Sequence, residues 1–211
     1  MALKRPEGMT DEEFIARAND KARKKKAARD KILATKTIEK GLLIVHTGPG
    51  KGKSTAAFGM VFRALGNGMK VGVVQFVKGK WETGERAVLE KFPDTCTMRS
   101  MGEGFTWETQ DRERDIAAAN GAWEMAKEMM ADPSYDMILL DELNICLRYD
   151  YLNIDDVVQT LNERREMLHM IITGRNAKDA LIEAADLVTE MGQIKHPFRE
   201  QNVKAQRGVE F

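Results

Sequence analysis

The sequence contains little cysteine and no long apolar segment. Two cysteines, Cys96 and Cys146, occur among 211 residues, and no apolar run approaches the roughly 18 residues that a membrane-spanning helix needs. The start of the chain, Met1–Pro6, shows no apolar core of a secretory signal, so the two cysteines do not suggest a disulfide framework. We therefore expect a cytoplasmic protein without a membrane segment.

The chain also has no excess of charge of either sign. Lys plus Arg and Asp plus Glu both total 33, which argues against nucleic acid or a membrane surface as a partner. The distribution is uneven, because residues 1–40 carry twelve Lys or Arg against seven Asp or Glu, a net +5, and the remainder carries −5. This difference predicts two regions, a polar basic N-terminal helical arm at 1–40 and a main domain at 41–211.

The arm has its own local signals. Thr10 is placed as a helix N-cap, with Glu13 in the capping-box position, and helix formers continue without Gly or Pro to about Lys40. The basic run Arg23–Lys26 indicates a solvated helix face, with a phosphate or nucleic-acid patch as the less favoured interpretation.

In the main domain, apolar runs alternate with helical patterns. Strands are predicted at 42–45, 71–77, 96–98, 137–140, 169–173 and 187–190, and helices at 54–65, 85–91, 110–130, 154–165 and 178–184. Continuous apolar runs are typical of parallel strands that are buried on both faces. The order therefore predicts an α/β domain with a mostly parallel sheet and helices on both faces. Ligands of such sheets bind beyond the carboxyl ends of the strands.

A glycine-rich loop connects the first predicted strand to the first predicted helix of this domain. It consists of Thr47, Gly48, Pro49, Gly50, Lys51, Gly52, Lys53, Ser54 and Thr55. Glycines let backbone N–H groups approach phosphate oxygens, and the helix N-terminus adds partial positive charge. Lys53 supplies a cation, and the Ser54 hydroxyl is a ligand for Mg²⁺. The loop is a variant of G-x-x-x-x-G-K-[ST], because Thr47 stands where that pattern has its first glycine. A ligand-free turn is the alternative, but the strand-to-helix context favours a nucleotide site.

Charged residues follow two other predicted strands. Asp141 and Glu142 end the strand at 137–140 and would hold Mg²⁺ directly or through its waters. Glu142 is alternatively a base that polarises water or a ribose contact. Arg175 follows the strand at 169–173 and either contacts phosphate or is an ordinary surface arginine. These residues predict binding of a magnesium nucleotide without selecting a reaction.

Aromatic residues in two loops suggest a second site. Phe105 and Trp107 stand beside glycines, and Trp81 lies in another loop. Such side chains usually pack onto the core. The more specific hypothesis is that they form an apolar wedge that contacts a large flat ligand. The three histidines show no metal-ligand spacing.

These segments together resemble the ATP:corrinoid adenosyltransferases over residues 41–211. The similar segments are TGPGKGKSTAAFG at 47–59, VGVVQFVKG at 71–79, GER at 84–86, GFTWETQ at 104–110, LDEL at 140–143, YDYL at 149–152, IITGR at 171–175, KHPF at 195–198 and VKAQRG at 203–208. The variant loop is the form that this family uses, and Ser54 stands where many members have threonine. The arm resembles the family only in being a polar, charged helix.

The resemblance implies a P-loop NTPase-like (RecA-like) fold and transfer of the 5′-deoxyadenosyl group of ATP to the cobalt of a reduced Co(I) corrinoid, with release of triphosphate, in cobalamin biosynthesis or salvage. ATP is the co-substrate and lies reversed in the loop relative to P-loop hydrolases. It is expected to contact the loop residues, Arg63 and Arg175, with Lys53 and Glu142 in catalytic roles. Mg²⁺, with Mn²⁺ as the alternative, is expected on Ser54, Asp141 and Glu142.

The resemblance also implies the corrinoid side of the site. Phe105 and Trp107 match an aromatic pair beneath the corrin, which excludes the lower axial ligand so that weak reductants can convert Co(II) to Co(I). Both are therefore expected to be catalytic and corrinoid-binding, and Trp81 to be corrinoid-binding. A reduced flavin or a flavodoxin-type protein is the expected electron donor, and the expected assembly is a homodimer with the N-terminal helix closing over the corrinoid.

Other functions remain open on the sequence alone. An ordinary P-loop ATPase or small-molecule kinase would release phosphate or ADP instead of triphosphate. A non-enzymatic ATP-binding or corrinoid-sensing module would bind without turnover. A nucleic-acid motor is less favoured, because the chain is short and basic only in the arm.

Overall fold

The computed structural model describes residues 5–77, 83–100 and 111–209. The chain divides into two compact units, Met1–Glu39 and Lys40–Phe211. The first unit contains helix α1 (Asp11–Leu33). The second contains β1 (Leu43–Thr47), α2 (Lys53–Gly66), β2 (Val71–Gln75), α3 (Gly84–Leu89), β3 (Cys96–Ser100), α4 (Arg112–Ala131), β4 (Met137–Asp141), α5 (Leu143–Arg148), α6 (Ile154–Asn162), β5 (His169–Thr173), α7 (Asp179–Ala184), β6 (Leu187–Glu190) and α8 (Pro197–Gln201).

Helix α1 begins where its local sequence predicts. The Thr10 hydroxyl accepts a hydrogen bond from the Glu13 backbone N at 3.2 Å, and the Glu13 carboxylate accepts one from the Thr10 backbone N at 3.0 Å. This capping box satisfies two helix donors reciprocally. These hydrogen bonds, above all that from the Thr10 backbone, lower the pKa of Glu13. The helix ends at Leu33, before the predicted end at Lys40, and the Thr35 hydroxyl donates to the carbonyl of Ile32 at 2.7 Å.

The described strands form one parallel sheet in the order β3-β2-β4-β5-β1-β6. The mostly parallel α/β sheet that the sequence predicts is therefore confirmed. β1 lies between β5 and β6, and β4 lies between β2 and β5. All carboxyl ends consequently meet at one edge, where the loops after β1, β4 and β5 come together.

Alternate strand residues supply two apolar layers. Leu43 and Val45 of β1 belong to a core shared with α4, α5, α6 and α7, whereas Ile44 belongs to a core shared with α2 and α3. Within the second core Phe58 is 1% exposed, and burial of such a side chain stabilises the fold by about 1.5–3 kcal/mol. Helices therefore cover both faces of the sheet.

The elements differ from the predicted ones mainly at short helices. Neither α5 nor α8 is predicted from the sequence. The helix predicted at 154–165 ends at Asn162, and the Arg164 side chain just beyond it donates to the carbonyl of Leu161 at 2.7 Å. Among the described helices, none is long and apolar enough to cross a membrane.

Candidate nucleotide-binding site

The glycine-rich loop lies between the end of β1 and the start of α2. Gly48 and Gly52 have φ angles of 98° and 101°, a left-handed conformation that favours glycine. A Cβ atom at Gly48 would lie 2.6 Å from the carbonyl oxygen of Met191, and one at Gly50 would lie 2.5 Å from that of Gly192. The segment after β6 therefore packs so closely against the loop that side chains at these two positions are excluded.

Backbone hydrogen bonds hold the loop against this segment. The N–H of Gly50 donates to the carbonyl of Met191 at 2.6 Å, and the N–H of Met191 donates to the carbonyl of Thr47 at 2.9 Å. The Thr47 hydroxyl accepts from the N–H of Ala177 at 3.0 Å. Thr47, the residue that departs from the common loop pattern, thus connects the loop to the chain that precedes α7.

Lys53 opens helix α2 and is 7% exposed. Its ammonium group donates to the carbonyl of Gly50, and its own carbonyl accepts a hydrogen bond from His46 Nδ1 at 3.2 Å. Burial lowers the pKa of Lys53, the cations of Arg175 and Lys51 lower it further, and the carboxylate of Glu142 acts in the opposite direction. A group carrying negative charge close to Nζ would favour the charged ammonium.

The two carboxylates after β4 have different surroundings. Asp141 is 0% exposed, and its side-chain oxygens accept hydrogen bonds from Gln75 Nε2 at 3.0 Å and from Thr173 Oγ1 at 2.8 Å. Glu142 adopts a positive φ of 66°, and its N–H donates to Thr173 Oγ1 at 2.9 Å. Asp141 therefore supports the turn from within the protein, whereas Glu142 faces the pocket described next.

A pocket of about 690 Å³ lies over the loop. Its lining residues are Gly50, Lys51, Gly52, Lys53, Ser54, Thr55, Phe62, Gly84, Glu85, Val88, Glu142, Arg175, Gly208 and Val209. Lys51, Lys53 and Arg175 contribute positive charge to this lining, and Phe62, Val88 and Val209 contribute apolar side chains. It has the chemistry to hold a polyphosphate beside an apolar group.

The structure brings most of the predicted nucleotide residues to this pocket. Lys51, Lys53, Ser54 and the two groups from other loops, Glu142 and Arg175, line it together. Three other residues of the loop, Thr47, Gly48 and Pro49, do not line the pocket. Asp141 does not line it either, because its side chain is fully buried.

Arg63, which the resemblance assigns to ATP, lies on α2 outside the lining of this pocket. It lies in the last turn of α2 with an exposed side chain, directly after Phe62, which does line the pocket. Trp81, Phe105 and Trp107, the predicted corrinoid-binding residues, lie outside the described residues.

Several pocket residues were missed by the sequence analysis. Phe62, Glu85, Val88, Gly208 and Val209 received no role, although Glu85 and Gly208 fall in segments that resemble the family. Phe62 and Val88 occupy helix positions whose pattern cannot be distinguished from ordinary packing. Asn144, which does not line the pocket but donates to the carbonyl of Gly174, also received no role, and its only signal is a polar residue within the apolar run Leu143–Leu147.

Oxygen ligands for a magnesium ion are present in the pocket. Ser54 and Glu142 both line it, and hydroxyl and carboxylate oxygens suit Mg²⁺, which is commonly bound by one or two protein groups together with substrate phosphates. Within the described ranges, no group of three or more His, Cys, Asp or Glu side chains could hold a metal by itself. The donor set therefore fits an ion that arrives with a nucleotide.

The parallel sheet, the glycine-rich loop before a helix N-terminus and the lysine inside it define a P-loop protein. The family model of the ATP:corrinoid adenosyltransferases BtuR/CobO/CobP matches residues 39–211. The corrinoid adenosyltransferase of Sinorhizobium sp is 61% identical over 198 residues, which cover 93% of this chain and 92% of that protein. The corrinoid adenosyltransferase of Escherichia coli (strain K12) is 48% identical over 203 residues, which cover 96% and 100%.

Among solved structures, the flagellar accessory protein FlaH from Methanocaldococcus jannaschii aligns with 74% of this chain and 73% of its own at 14% identity, with a TM-score of 0.49. The sequence matches determine the family, because they cover nearly the whole chain. The chain belongs to the ATP:corrinoid adenosyltransferase family, and it is an enzyme of that class.

Proposed function

We propose that this enzyme transfers the 5′-deoxyadenosyl group of ATP to the cobalt of a Co(I) corrinoid. The Co(I) electron pair attacks C5′ of the ribose, the Co–C bond forms, and the C5′–O bond breaks. The electron pair of the broken C5′–O bond leaves with the triphosphate, and cobalt becomes formally Co(III). The corrinoid itself supplies the nucleophile, so the chain needs no nucleophilic side chain of its own.

One observation carries the proposal: in a chain of this family, Lys53, Glu142 and Arg175 line one pocket over the phosphate loop. The leaving group is a polyanion whose negative charge grows as the C5′–O bond breaks. Cations that are already positioned by the fold stabilise such charge without reorganisation. Two cationic side chains and the N-terminus of α2 meet this requirement.

Lys53 is the best-placed of these groups. Its side chain is 7% exposed, and it is held beside Gly50 in the loop. A triphosphate oxygen close to Nζ would offset the burial that lowers its pKa. Lys53 is therefore assigned to the leaving triphosphate, and the loop backbone to orienting the phosphate chain.

Ser54 and Glu142 are assigned to Mg²⁺, with Mn²⁺ as the alternative. When bound, the ion would neutralise charge on the phosphate oxygens. Asp141 is buried and accepts hydrogen bonds from Gln75 and Thr173, so its proposed contribution is to orient the turn that carries Glu142, with any contact to the ion passing through water.

The corrinoid side of the reaction rests on the resemblance. Phe105 and Trp107 are proposed to lie under the corrin and exclude the lower axial ligand, with Trp81 as a further contact. A reduced flavin or flavodoxin-type protein is proposed as electron donor. A homodimer, in which the arm at 1–40 closes over the corrinoid, is proposed as the working unit, and ATP is proposed to bind in the reversed orientation.

The proposed reaction is tested in the absence of oxygen, which would consume Co(I). The protein is mixed with magnesium ATP and chemically reduced cob(I)alamin, the Co(I) absorbance is followed, and the phosphate product is identified. Loss of Co(I) with one triphosphate per light-sensitive adenosyl product is the expected result. Lys53→Ala should abolish it, whereas Lys127→Ala, which removes the ion-pair partner of Glu124 on α4, should not.

Two other outcomes would contradict the proposal. ADP formation with Co(I) untouched would identify an ordinary P-loop ATPase or kinase. ATP binding without consumption of cob(I)alamin, repeated with a precursor corrinoid to exclude a difference in substrate preference, would leave a binding protein.

A further inference from the structure

Two pocket charges come from the ends of neighbouring strands. Glu142 follows β4 and Arg175 follows β5, and these strands pair in parallel up to Leu140 and Ile172. Each charge is carried by a turn with special backbone geometry, φ of 66° at Glu142 and 127° at Gly174. Their relative position therefore depends on whatever connects the two turns.

One connection runs through Asn144 in the first turn of α5. Asn144 is 0% exposed, and its side-chain Nδ2 donates to the carbonyl of Gly174 at 3.0 Å. Its Oδ1 atom is buried without a hydrogen-bond partner among the described residues. A buried acceptor left unpaired costs stability, so packing alone does not explain an amide at this position.

Gly174 lies directly against this side chain. A Cβ at Gly174 would stand 2.8 Å from the Asn144 Cβ and 3.3 Å from the Glu142 carboxylate. Glycine has more backbone freedom than other residues, so the conformation of this turn must be fixed by its contacts. The hydrogen bond from Asn144 is the contact that holds its carbonyl.

The carbonyl of Gly174 and the N–H of Arg175 belong to the same planar peptide unit. An interaction that fixes this carbonyl consequently fixes the plane from which the Arg175 side chain departs. The Arg175 side chain itself is exposed, and no hydrogen bond or ion pair to another described residue holds it. Its direction into the pocket thus depends on the backbone.

We propose that Asn144 is a positioning residue that aims Arg175 at the triphosphate of bound ATP through the Gly174–Arg175 peptide. This inference rests on the proposed function for the identity of the ligand. Asn144 does not contact substrate, and its effect on ATP is carried entirely by Arg175. A purely structural role for Asn144 would affect ATP binding whether or not Arg175 is present.

A double-mutant cycle separates these two roles. Asn144→Ala, Arg175→Ala and the double variant are compared for binding of magnesium ATP and of inorganic tripolyphosphate by calorimetry, without a corrinoid. We expect each single variant to lower the affinity for both ligands about ten-fold. The affinity of the double variant should match that of Arg175→Ala within about two-fold, because the effects of two residues that act as a unit do not add. Asn120→Ala is the matched control, since that exposed amide donates only to a carbonyl of its own helix.

The remaining outcomes overturn the inference. Unchanged binding by Asn144→Ala, unchanged binding by Arg175→Ala, or independent losses that multiply in the double variant each contradict it. If Asn144→Ala does not fold, Asn144→Ser replaces it in the same cycle under the same criteria. Failure of the proposed function is recognised separately, because wild-type protein would then bind ATP without forming triphosphate from cob(I)alamin.

Discussion

The hydroxyl of Thr47 accepts a hydrogen bond of 3.0 Å from the backbone N–H of Ala177, 130 residues further along the chain. This bond joins the phosphate loop to the segment that precedes α7. A glycine at position 47 would lack the acceptor. Thr47 therefore makes a long-range contact that the glycine of the common pattern could not make.

Replacing Thr47 tests this connection. Thr47→Val keeps the shape but removes the acceptor, so we expect a loss of about 1 kcal/mol in the free energy of unfolding together with weaker ATP binding. Thr47→Ser keeps the hydroxyl and should retain both. Urea denaturation and calorimetry measure the two effects, and equal stability of the Val and Ser variants would contradict the role.

Gly48 should not tolerate a side chain. Gly48→Ala places a methyl group 2.6 Å from the carbonyl of Met191 in a left-handed conformation, which alone costs about 1–2 kcal/mol. We expect lower thermal stability and loss of ATP binding. The matched control is Gly59→Ala on α2, where nothing lies within 4 Å of the new atom and a gain of roughly 0.5–1 kcal/mol is expected. A stable Gly48→Ala protein that binds ATP normally would refute this account of the loop.

ATP affinity should depend on pH through Lys53. Burial lowers the pKa of this ammonium below its ordinary value of 10.5, and phosphate binds the charged form. The affinity for ATP is therefore highest at lower pH, where Lys53 is fully protonated, and declines as pH rises through the lowered pKa. Over the same range the unfolded chain holds more protons than the folded chain, so the Lys53 contribution to stability rises with pH.

These opposite trends distinguish deprotonation from unfolding. Calorimetric titrations at increasing pH, paired with thermal melts, measure both. Lys53→Arg keeps its charge throughout and should show a flat affinity profile, even if its affinity is lower. A parallel decline in both proteins would assign the pH dependence to another group.

Asp186 should stabilise the fold in a pH-dependent way. The hydrogen bond with the Lys40 ammonium, and then that from the Leu43 N–H, lower the pKa of this carboxyl below 3.8. The stabilisation is therefore present above pH 3.8 and is lost as pH falls through the lowered value. Asp186→Asn should cost about 1 kcal/mol at neutral pH, mostly because it removes the negative charge that pairs with Lys40 and Arg164, and the difference from wild type should shrink in acid.

Denaturant unfolding at several pH values tests this expectation. Glu124→Gln provides the control, because it removes an exposed carboxylate paired with Lys127 on the same helix and should change stability little at any pH. A difference between wild type and Asp186→Asn that stays constant down to strong acid would contradict the assigned cause.

Local sequence determined those features that depend on neighbours along the chain. The capping box at Thr10 and the buried strands could be predicted because capping and apolar runs are local signals. Helix α5 was missed because its residues are mostly apolar and follow the apolar strand β4 almost directly, so no change of pattern marks it. The assignment of Arg63 to ATP rests on the resemblance alone and stays a prediction, because this residue does not line the pocket in the structure. The bonds from Thr47 to Ala177 and from Asn144 to Gly174 join distant segments, which no local pattern specifies.

The packing of Met191 and Gly192 against the phosphate loop has a consequence for biosynthesis. The loop is made early, but the residues that shape it follow the last strand of the sheet. A nascent chain therefore acquires its nucleotide site only after synthesis has passed Gly192 and this segment has left the ribosome. Prematurely terminated chains should consequently fail to sequester ATP, even though they contain every glycine of the loop.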